Sequence, residues 1–501
     1  MTKTSAAAAA RTMVLPLALA QFIASYAASN MNVAISTIAD DIGTTVAGIQ
    51  AAITFFTLTM AALMIPGSKL TDIWGRKFCF NLGMIIYGAG ALLASLAQGL
   101  PLMFVGYSLL EGIGSALMIP PIYIMITVAF EDVAARGKYF GIVSGAAGLG
   151  SASGPLIGGL VTSTLGWRSS FWLQFAVVVL ILVLARTIPD QARTGPRPSF
   201  DLWGAVLNAA GLVLVVSGIL FSSTYGMISW QVFVPVLIGL AVLGYFLRYL
   251  SVRERSGKVP LLSPRLFRNR TSNLGLTTQL VQWLIMQGSF FVISVYIQQV
   301  RHYDAIHTGL LLTPATIGVL LASAIAGRMA RRRAQAMLVR GGFVLTTIGM
   351  ILVPLLVRED SAVWTFVPGL LLMGFGVGVM LTASVNVVQS SFGDEDQADI
   401  SGLSRAVSNL GSSLGVAIAG SILVAANGKH LGTPFAVALG LLAGISLLGL
   451  VAALGLPRRP PPGSAPGTSE PGTSEPGTSE PGTSAPGSSG SGSSALGEAA
   501  A

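Results

Sequence analysis

The sequence predicts an all-α, polytopic membrane protein of about 14 transmembrane helices, two pseudo-symmetric six-helix bundles plus two inserted helices. Three observations predict it. Charged residues are 10% of the 501-residue chain, 52% are hydrophobic and mean hydropathy is +0.74, whereas soluble domains carry about 25% charge. Apolar runs long enough to cross a bilayer, about 20 residues each, recur from residue 13 to residue 456. The basic residues collect in alternate connections between these runs. Together these exclude an ordinary soluble enzyme. The net charge of +9 sits between apolar runs, where it sets topology and implies no nucleic-acid partner. Sixty Gly suit helices that must approach closely. The single Cys79 leaves no intramolecular disulfide and no Cys-based metal site.

Residues 1–12 form a short basic start, read as a cytoplasmic N-terminus. The apolar run after it is too long for a cleaved signal and is taken as the first membrane helix. The first bundle, 13–188, comprises spans Met13–Ile38, Val46–Pro66, Phe78–Gln98, Leu102–Val128, Tyr139–Leu165 and Ser169–Ile188. The region 189–270 carries the inserted spans Leu202–Ser222 and Gln231–Leu250 between basic loops. The second bundle, 271–456, comprises Thr271–Val300, Thr308–Gly327, Met337–Val357, Val363–Gln389, Ile400–Asn427 and Pro434–Leu456. The tail 457–501 repeats GTSEP three times over Gly467–Pro481, and GTSAP follows at Gly482–Pro486. Pro, Gly, Ser, Thr and Glu without apolar residues cannot bury enough surface to fold. The tail is therefore expected to be disordered, and its regularity resembles a linker.

With the N-terminus inside, outer loops hold only Arg168, Arg301, Arg358 and Lys429. Inner loops collect Lys69, Arg76, Lys77, Arg136, Lys138, Arg193, Arg197, Arg253, Arg255, Lys258, Arg265, Arg268, Arg270, Arg328, Arg331, Arg332 and Arg333. By the positive-inside rule both termini are cytoplasmic, in a cell (plasma or inner) membrane.

Gly67–Lys77, GSKLTDIWGRK, is read as a short inner loop between spans 2 and 3. Gly67 and Gly75 permit close backbone approach. Asp72 can accept hydrogen bonds at a neighbouring helix N-terminus, where the dipole favours an anion. Arg76 can pair with a carboxylate. Gly67, Asp72, Gly75 and Arg76 would then form a cytoplasmic gate. The plainer alternative makes Arg76 and Lys77 topological anchors. Gly327–Arg333, GRMARRR, is a degenerate echo in the second half. In the fifth span, Gly150, Gly154, Pro155, Gly158 and Gly159 form a small-residue face, and Pro155 removes a backbone donor. That face is expected to seal against a helix of the other half; simple packing is the alternative.

The inner-loop segment, through Gly67, Leu70, Asp72, Gly75, Arg76 and Lys77, resembles the loop between helices 2 and 3 of the major facilitator superfamily. Gly154-Pro155 and Gly158-Gly159 resemble the signature of drug:proton antiporters. Val295–Pro314, VYIQQVRHYDAIHTGLLLTP, is similar to the start of the second half in the 14-helix drug:proton antiporter family. Asn32–Ile38, NVAISTI, resembles the end of that family's first helix, and Gly166-Trp167-Arg168 the loop before its sixth. The resemblance covers roughly Met13–Leu456. It implies alternating access and proton-coupled export of drugs or lipophilic small molecules. The implied partners are a small-molecule substrate, protons and membrane lipids; the implied state is a monomer, with no cofactor and no metal.

The departures from that family fall at Ala27, where members commonly carry an Asp, at Ser108, where they carry an Arg, and at Glu111, where they carry a Gln. Glu111 is the carboxylate placed deepest in the membrane, roughly 14 Å into the fourth span at 1.5 Å per residue. A charge there costs about 2.5–3.5 kcal/mol, and a carboxyl that is neutral when occluded and ionised when wet can carry a proton. Glu111 is therefore the proton-coupling candidate, a hydrogen-bonded structural acid being the alternative. Arg405, one turn inside the thirteenth span, is expected to snorkel. The substrate-cavity candidates are neutral: Gln21, Ser25, Tyr26 and Asn30 on the first helix, Gln279, Gln282 and Trp283 on the ninth, with Ser29, Asn32 and Gln287 nearby. Such polar stripes also glue helices together. No nucleophile–base pair, nucleotide loop or metal set occurs, and His302, His307 and His430 all fall in outer loops, so no enzyme activity is expected. A facilitator or importer without proton coupling, or a lipid-handling or sensor protein on the same fold, are the rival readings.

Overall fold

The structure, a computed structural model, describes residues 12–130, 133–188, 199–226, 228–329, 335–358, 361–392, 397–425 and 432–457. The tail, the Arg331–Arg333 part of the GRMARRR echo, Arg193, Arg197, Lys429 and His430 lie outside them. The first-half helices are α1 (Val14–Asn30), α2 (Val46–Trp74), α3 (Arg76–Ser95), α4 (Leu100–Ala129), α5 (Val133–Leu165) and α6 (Trp167–Ala185). The inserted pair is α7 (Leu202–Tyr225) and α8 (Trp230–Arg255). The second half has α9 (Arg270–Gln299), α10 (Ala305–Met329), α11 (Gln335–Leu356), α12 (Phe366–Gln389), α13 (Gln397–Ala425) and α14 (Gly432–Leu454). Among the described residues 13 helical spans are long and apolar enough to cross a membrane. The other long helix, α5, runs 33 residues. This is an all-helical, multi-pass membrane protein.

Two seams join the halves: α2 packs along α13, and α5 packs along α10. The inserted α7 lies over the first seam. Leu58, Ala61 and Ala62 of α2, Leu212, Val216 and Leu220 of α7, and Ala417 of α13 form one apolar cluster, and Asn208 Nδ2 donates to the Ala62 carbonyl at 3.0 Å. α8 packs mainly on α7; its outer face is apolar and exposed, Leu237 at 63%, as a lipid-facing helix requires. Lys69, Arg76, Arg253, Arg265 and Arg268 mark one end of the bundle, here the basic end. Asp41, Arg168, Arg301 and Arg358 mark the opposite end.

Three helices depart from the expected spans. α2 does not stop at Pro66; it carries most of GSKLTDIWGRK as helix to Trp74. Thr71 Oγ1 donates to the Gly67 carbonyl at 3.0 Å and the Gly75 N–H closes the last turn on Thr71 at 3.1 Å. The loop proper is the single Gly75, at φ 97°, a conformation open mainly to glycine. α1 breaks at a 3-10 turn, Met31–Val33, before a short continuation Ile35–Asp41. α4 is wound as a π-helix over Phe104–Glu111. Glycines crowd that stretch: a Cβ on Gly106 would sit 2.6 Å from the Ala94 nitrogen, and one on Gly90 2.7 Å from that of Glu111.

Asp201 anchors the inserted pair. Its carboxylate is buried and caps α7 by accepting from Gly204 N at 3.0 Å. It also accepts from Tyr249 of α8 at 2.9 Å and from Leu261 N at 3.0 Å, and Arg253 lies 3.5 Å away. One carboxylate thus ties together both inserted helices and the connection to α9. Asp201→Ala leaves two backbone donors and the Tyr249 hydroxyl without their acceptor, at about 1–3 kcal/mol for each donor left buried and unpaired. The variant should melt several degrees lower in detergent; melting at the wild-type temperature would remove the anchor role.

Candidate functional site

At the opposite end, segments far apart in sequence meet. Gln298 of α9 donates from Nε2 to the Asn32 carbonyl and accepts from the Ser36 N–H, both at 3.0 Å. Gln299 Nε2 donates to Ser36 Oγ at 2.9 Å. Ile306 N donates to Ser163 Oγ of α5 at 3.0 Å. So Asn32–Ile38 and Val295–Pro314 touch each other across the halves. Arg168 bonds Asp41 and donates to the Ala97 carbonyl at 2.8 Å, while Trp167 Nε1 donates to Asp41 at 3.0 Å. These bonds, the arginine's first, hold the Asp41 carboxyl below the usual carboxylate range. They pin the α5–α6 turn inside the first half.

The small-residue face of α5 is split between two partners. A Cβ on Gly150 would lie 2.2 Å from the Phe22 carbonyl oxygen, one on Gly154 1.9 Å from Ser29 Oγ, and one on Gly158 1.9 Å from Asn30 Oδ1. All three partners belong to α1, in the same half. Toward the other half, a Cβ on Gly159 would lie 2.5 Å from the Ala305 oxygen, and one on Gly309 2.3 Å from that of Pro155. The inter-half contact therefore belongs to Gly159, Pro155 and their α10 partner Gly309. Gly150, Gly154 and Gly158 set the α1–α5 distance.

At the basic end, Lys69 Nζ lies 2.6 Å from Asp399 Oδ1, each side chain about one-fifth exposed, 22% and 21%. Lys69 belongs to α2, and Asp399 to the first turn of α13. The motif thus reaches the other half through its lysine, a residue that charge counting treated as a topological anchor. Gly67 lets α2 touch α4, since a Cβ there would sit 2.3 Å from the Ala116 oxygen. Asp72 lies within the last turn of α2 and Arg76 in the first of α3. Lys77 Nζ donates to the Ile188 carbonyl at 2.5 Å. Arg405 does not snorkel outward. Its guanidinium bonds the Tyr123 hydroxyl of α4 and stacks 5.0 Å from that ring centre, and the hydroxyl lies 3.5 Å from Gln21 Oε1.

Midway through α4, Glu111 is fully buried; neither of its oxygens makes a hydrogen bond of good geometry, though the Tyr87 hydroxyl lies within hydrogen-bonding reach of the carboxyl. It sits beside Tyr87 and Tyr107. The Tyr87 hydroxyl donates instead to Gln174 of α6, at 2.5 Å. Ser108, three residues earlier, donates to the Ala52 carbonyl at 2.8 Å. Glu111 thus lies in the interior of the first half, away from the seams.

The neutral cavity candidates do not converge. Ser404 donates to Gln279 Oε1 at 2.9 Å and Ser384 to Gln282 Oε1 at 2.8 Å, so both glutamines face neighbours in their own half. Trp283, half-buried, packs against Gly411. Tyr26 is buried and stacks on Phe22, Asn30 packs on α5, and Ser25 is half-buried on α1. Gln21 joins an inter-half group with Tyr123 and Arg405, and Gln287 Nε2 of α9 donates to the Ala28 carbonyl of α1 at 3.4 Å. The residues missed by pattern reading are Lys69, Asp399, Gln298 and Gln50, whose Nε2 donates to the Val416 and Ala417 carbonyls at 3.1 and 3.2 Å.

Gly150→Ala and Gly309→Ala separate the two glycine functions. Both meet unyielding backbone oxygens, but the first cost is present in every arrangement of the halves. It should lower the melting temperature, with overpacking of about 1–3 kcal/mol. The second cost is escaped when the opposite end opens. Gly309→Ala should therefore raise the reactivity of cysteines placed at that end toward impermeant maleimide; equal effects of both variants on melting and reactivity would refute the division.

The family model described as Major Facilitator Superfamily matches residues 17–416. The chain is 30% identical over 405 residues to the "Probable actinorhodin transporter" of Streptomyces coelicolor, covering 78% of this chain and 68% of that one. It is 28% identical to the "Cephamycin export protein CmcT" of Amycolatopsis lactamdurans, covering 83% and 85%, and 26% identical to the "Puromycin resistance protein pur8" of Streptomyces alboniger, covering 80% and 79%. Among solved structures it shares its fold with a peptide transporter POT in complex with sulfate, at a TM-score of 0.64 and 15% identity, covering 88% of this chain and 94% of that one.

Proposed function

The chain belongs to the major facilitator superfamily, whose members carry small molecules across membranes and are not enzymes, and we propose that it is a plasma-membrane exporter of drugs or lipophilic small molecules, driven by proton entry. Both termini face the cytoplasm in this reading, supported by the distribution of Lys and Arg, and the basic end is the cytoplasmic end. The working unit is a monomer, its partners being substrate, protons and surrounding lipid. The halves move about the α2–α13 and α5–α10 seams so that a path between them opens to one side at a time. The names of the export and resistance relatives support the substrate class.

The observation that carries proton coupling is Glu111, a fully buried acid set beside the Tyr87 and Tyr107 rings in the interior of the first half. An acid at such a site is costly to keep. In proteoliposomes, Glu111→Gln should abolish substrate accumulation driven by a pH gradient while sparing substrate exchange. Undiminished gradient-driven transport would sink the coupling role. A second reading, a carrier without proton coupling, is favoured by Ala27 and by Ser108, whose hydroxyl is spent on α2 packing. It predicts wild-type transport with no accompanying proton flux.

The Lys69–Asp399 pair acts as a latch at the cytoplasmic end, where Gly67 seats α2 on α4 and Asp72, Gly75 and Arg76 form the end of α2 and its turn into α3. A partly exposed pair of this kind contributes about 0.5–1 kcal/mol, a shift of roughly 2- to 5-fold between two states. Lys69→Ala and Asp399→Ala should each lengthen the mean spin-label distance across that face, and the swap Lys69→Asp with Asp399→Lys should restore it. Lengthening in the single variants without restoration in the swap would tie the effect to each residue rather than to the pair.

A further inference from the structure

We propose that Gln298 is a gate residue whose amide stands in for a missing turn of α1, holding the opposite end closed only while α1 stays broken. The break runs through Met31–Val33, and Ala34 leaves the helical region at φ −112°, ψ 9°. In an unbroken α-helix the Ser36 N–H would bond the Asn32 carbonyl, four residues earlier. Here those two groups are split, and the Gln298 side chain enters between them. Its carbonyl takes the Ser36 proton and its amide donates to Asn32, both at 3.0 Å. Gln298 comes from α9 in the other half and is 7% exposed, so water is not the natural substitute.

The exchange is balanced. Pulling α9 away removes two hydrogen bonds between the halves, and closing α1 by one turn restores a bond between the same two backbone groups. Neither state then leaves the Ser36 N–H or the Asn32 carbonyl unsatisfied, a condition membrane-buried backbone must meet. A 3-10 segment inside a long helix often marks a hinge. The break has its own cost: Asn30 Oδ1 and Asn32 Oδ1 are buried there without a partner. α1 alone therefore gains nothing from the break; the other half stabilises it. The two segments that resemble family signatures, Asn32–Ile38 and Val295–Pro314, meet at this clamp. The proposal rests on the alternating-access reading only in requiring the halves to separate, and its test reads distances and backbone protection, never export.

The test uses the full chain in nanodiscs, with Cys79→Ala, and spin labels on Asp40→Cys and Trp364→Cys, both exposed positions. Gln298→Leu keeps the side-chain bulk and removes both bonds; Gln298→Asn keeps the amide but is one methylene too short to span the break. Each should shift the population toward long distances at the opposite end, by about ten-fold for Leu, equivalent to about 1.4 kcal/mol. Hydrogen exchange over residues 32–38 should stay slow in both variants, because α1 closes its own bond. Ser36→Ala, which removes only the Gln299 contact, should change the distances much less. Unchanged distances in both Gln298 variants would overturn the proposal. So would fast exchange over 32–38 with lengthened distances, since the break would then be fixed and its groups merely exposed. If Gln298→Leu fails to fold, the Asn variant decides by the same two readings.

Discussion

Lipid offers no hydrogen bonds, so each backbone group released by an irregular membrane helix must find a partner inside the protein. Much of this structure follows from that constraint. α7 begins in a buried setting, and Asp201 supplies the acceptor its first turn lacks. α1 breaks, and Gln298 fills the gap from the other half. The side chains left without partners are informative in the same way. Tyr107 lies in the π-wound part of α4, and Asn30 and Asn32 flank the break in α1. Buried orphan groups are uncommon and call for a reason. Here several of them stand where a helix departs from regular α geometry, which is where a rearrangement could supply the missing bond.

Small residues determine what can move against what. The α1–α5 contact is so close that Gly150 lies against the Phe22 backbone, and side chains cannot be inserted without parting the helices. The α5–α10 contact uses the same device, but its partner belongs to the other half. A surface of backbone and glycine is nearly flat and forms few hydrogen bonds. Two such surfaces can separate and re-form without stripping partners from polar groups. The seam at α2–α13 differs: Gln50 bonds the Val416 and Ala417 carbonyls, Ser413 bonds the Thr54 carbonyl at 3.0 Å, and α7 covers it. The inserted pair therefore rests on the more strongly bonded of the two seams.

The architecture was legible in the sequence because its signals are long. Twenty apolar residues and a run of basic connections cannot arise from one side chain's choice of neighbour. Glu111 was legible for a related reason: an acid in an apolar run stands out whatever it touches. What stayed hidden depended on single partners. Lys69 and Arg405 looked like charges destined for the membrane surface, because nothing local distinguishes a snorkelling base from one aimed at Asp399 or Tyr123. The glutamines were visible as polar marks on apolar helices, but helical spacing does not say whether a partner lies in the same half or the other. Gln279 and Gln282 turn inward to Ser404 and Ser384, while Gln298 crosses over. The extension of α2 past Pro66 was masked by polarity: a helix leaving the bilayer reads like a loop once its residues become hydrophilic.

The two ends of the bundle hold the halves together by different chemistry. At the basic end the bond is an ion pair, Lys69 with Asp399, near water and subject to screening by salt. At the opposite end it is a set of uncharged contacts, Gln298 and Gln299 on α1 and Ile306 on Ser163. Each neutral bond is worth on the order of 1 kcal/mol net, so those named at the opposite end sum to a few kcal/mol. A carrier with halves that exchange positions needs that balance, because moving an equilibrium from 1:99 to 99:1 already takes about 5.5 kcal/mol of differential interaction. Fastening far stronger than this at either end would exceed what binding of a small ligand could overturn. Polar contacts of this modest strength, set against broad small-residue surfaces between them, keep the difference between the arrangements within reach of a ligand.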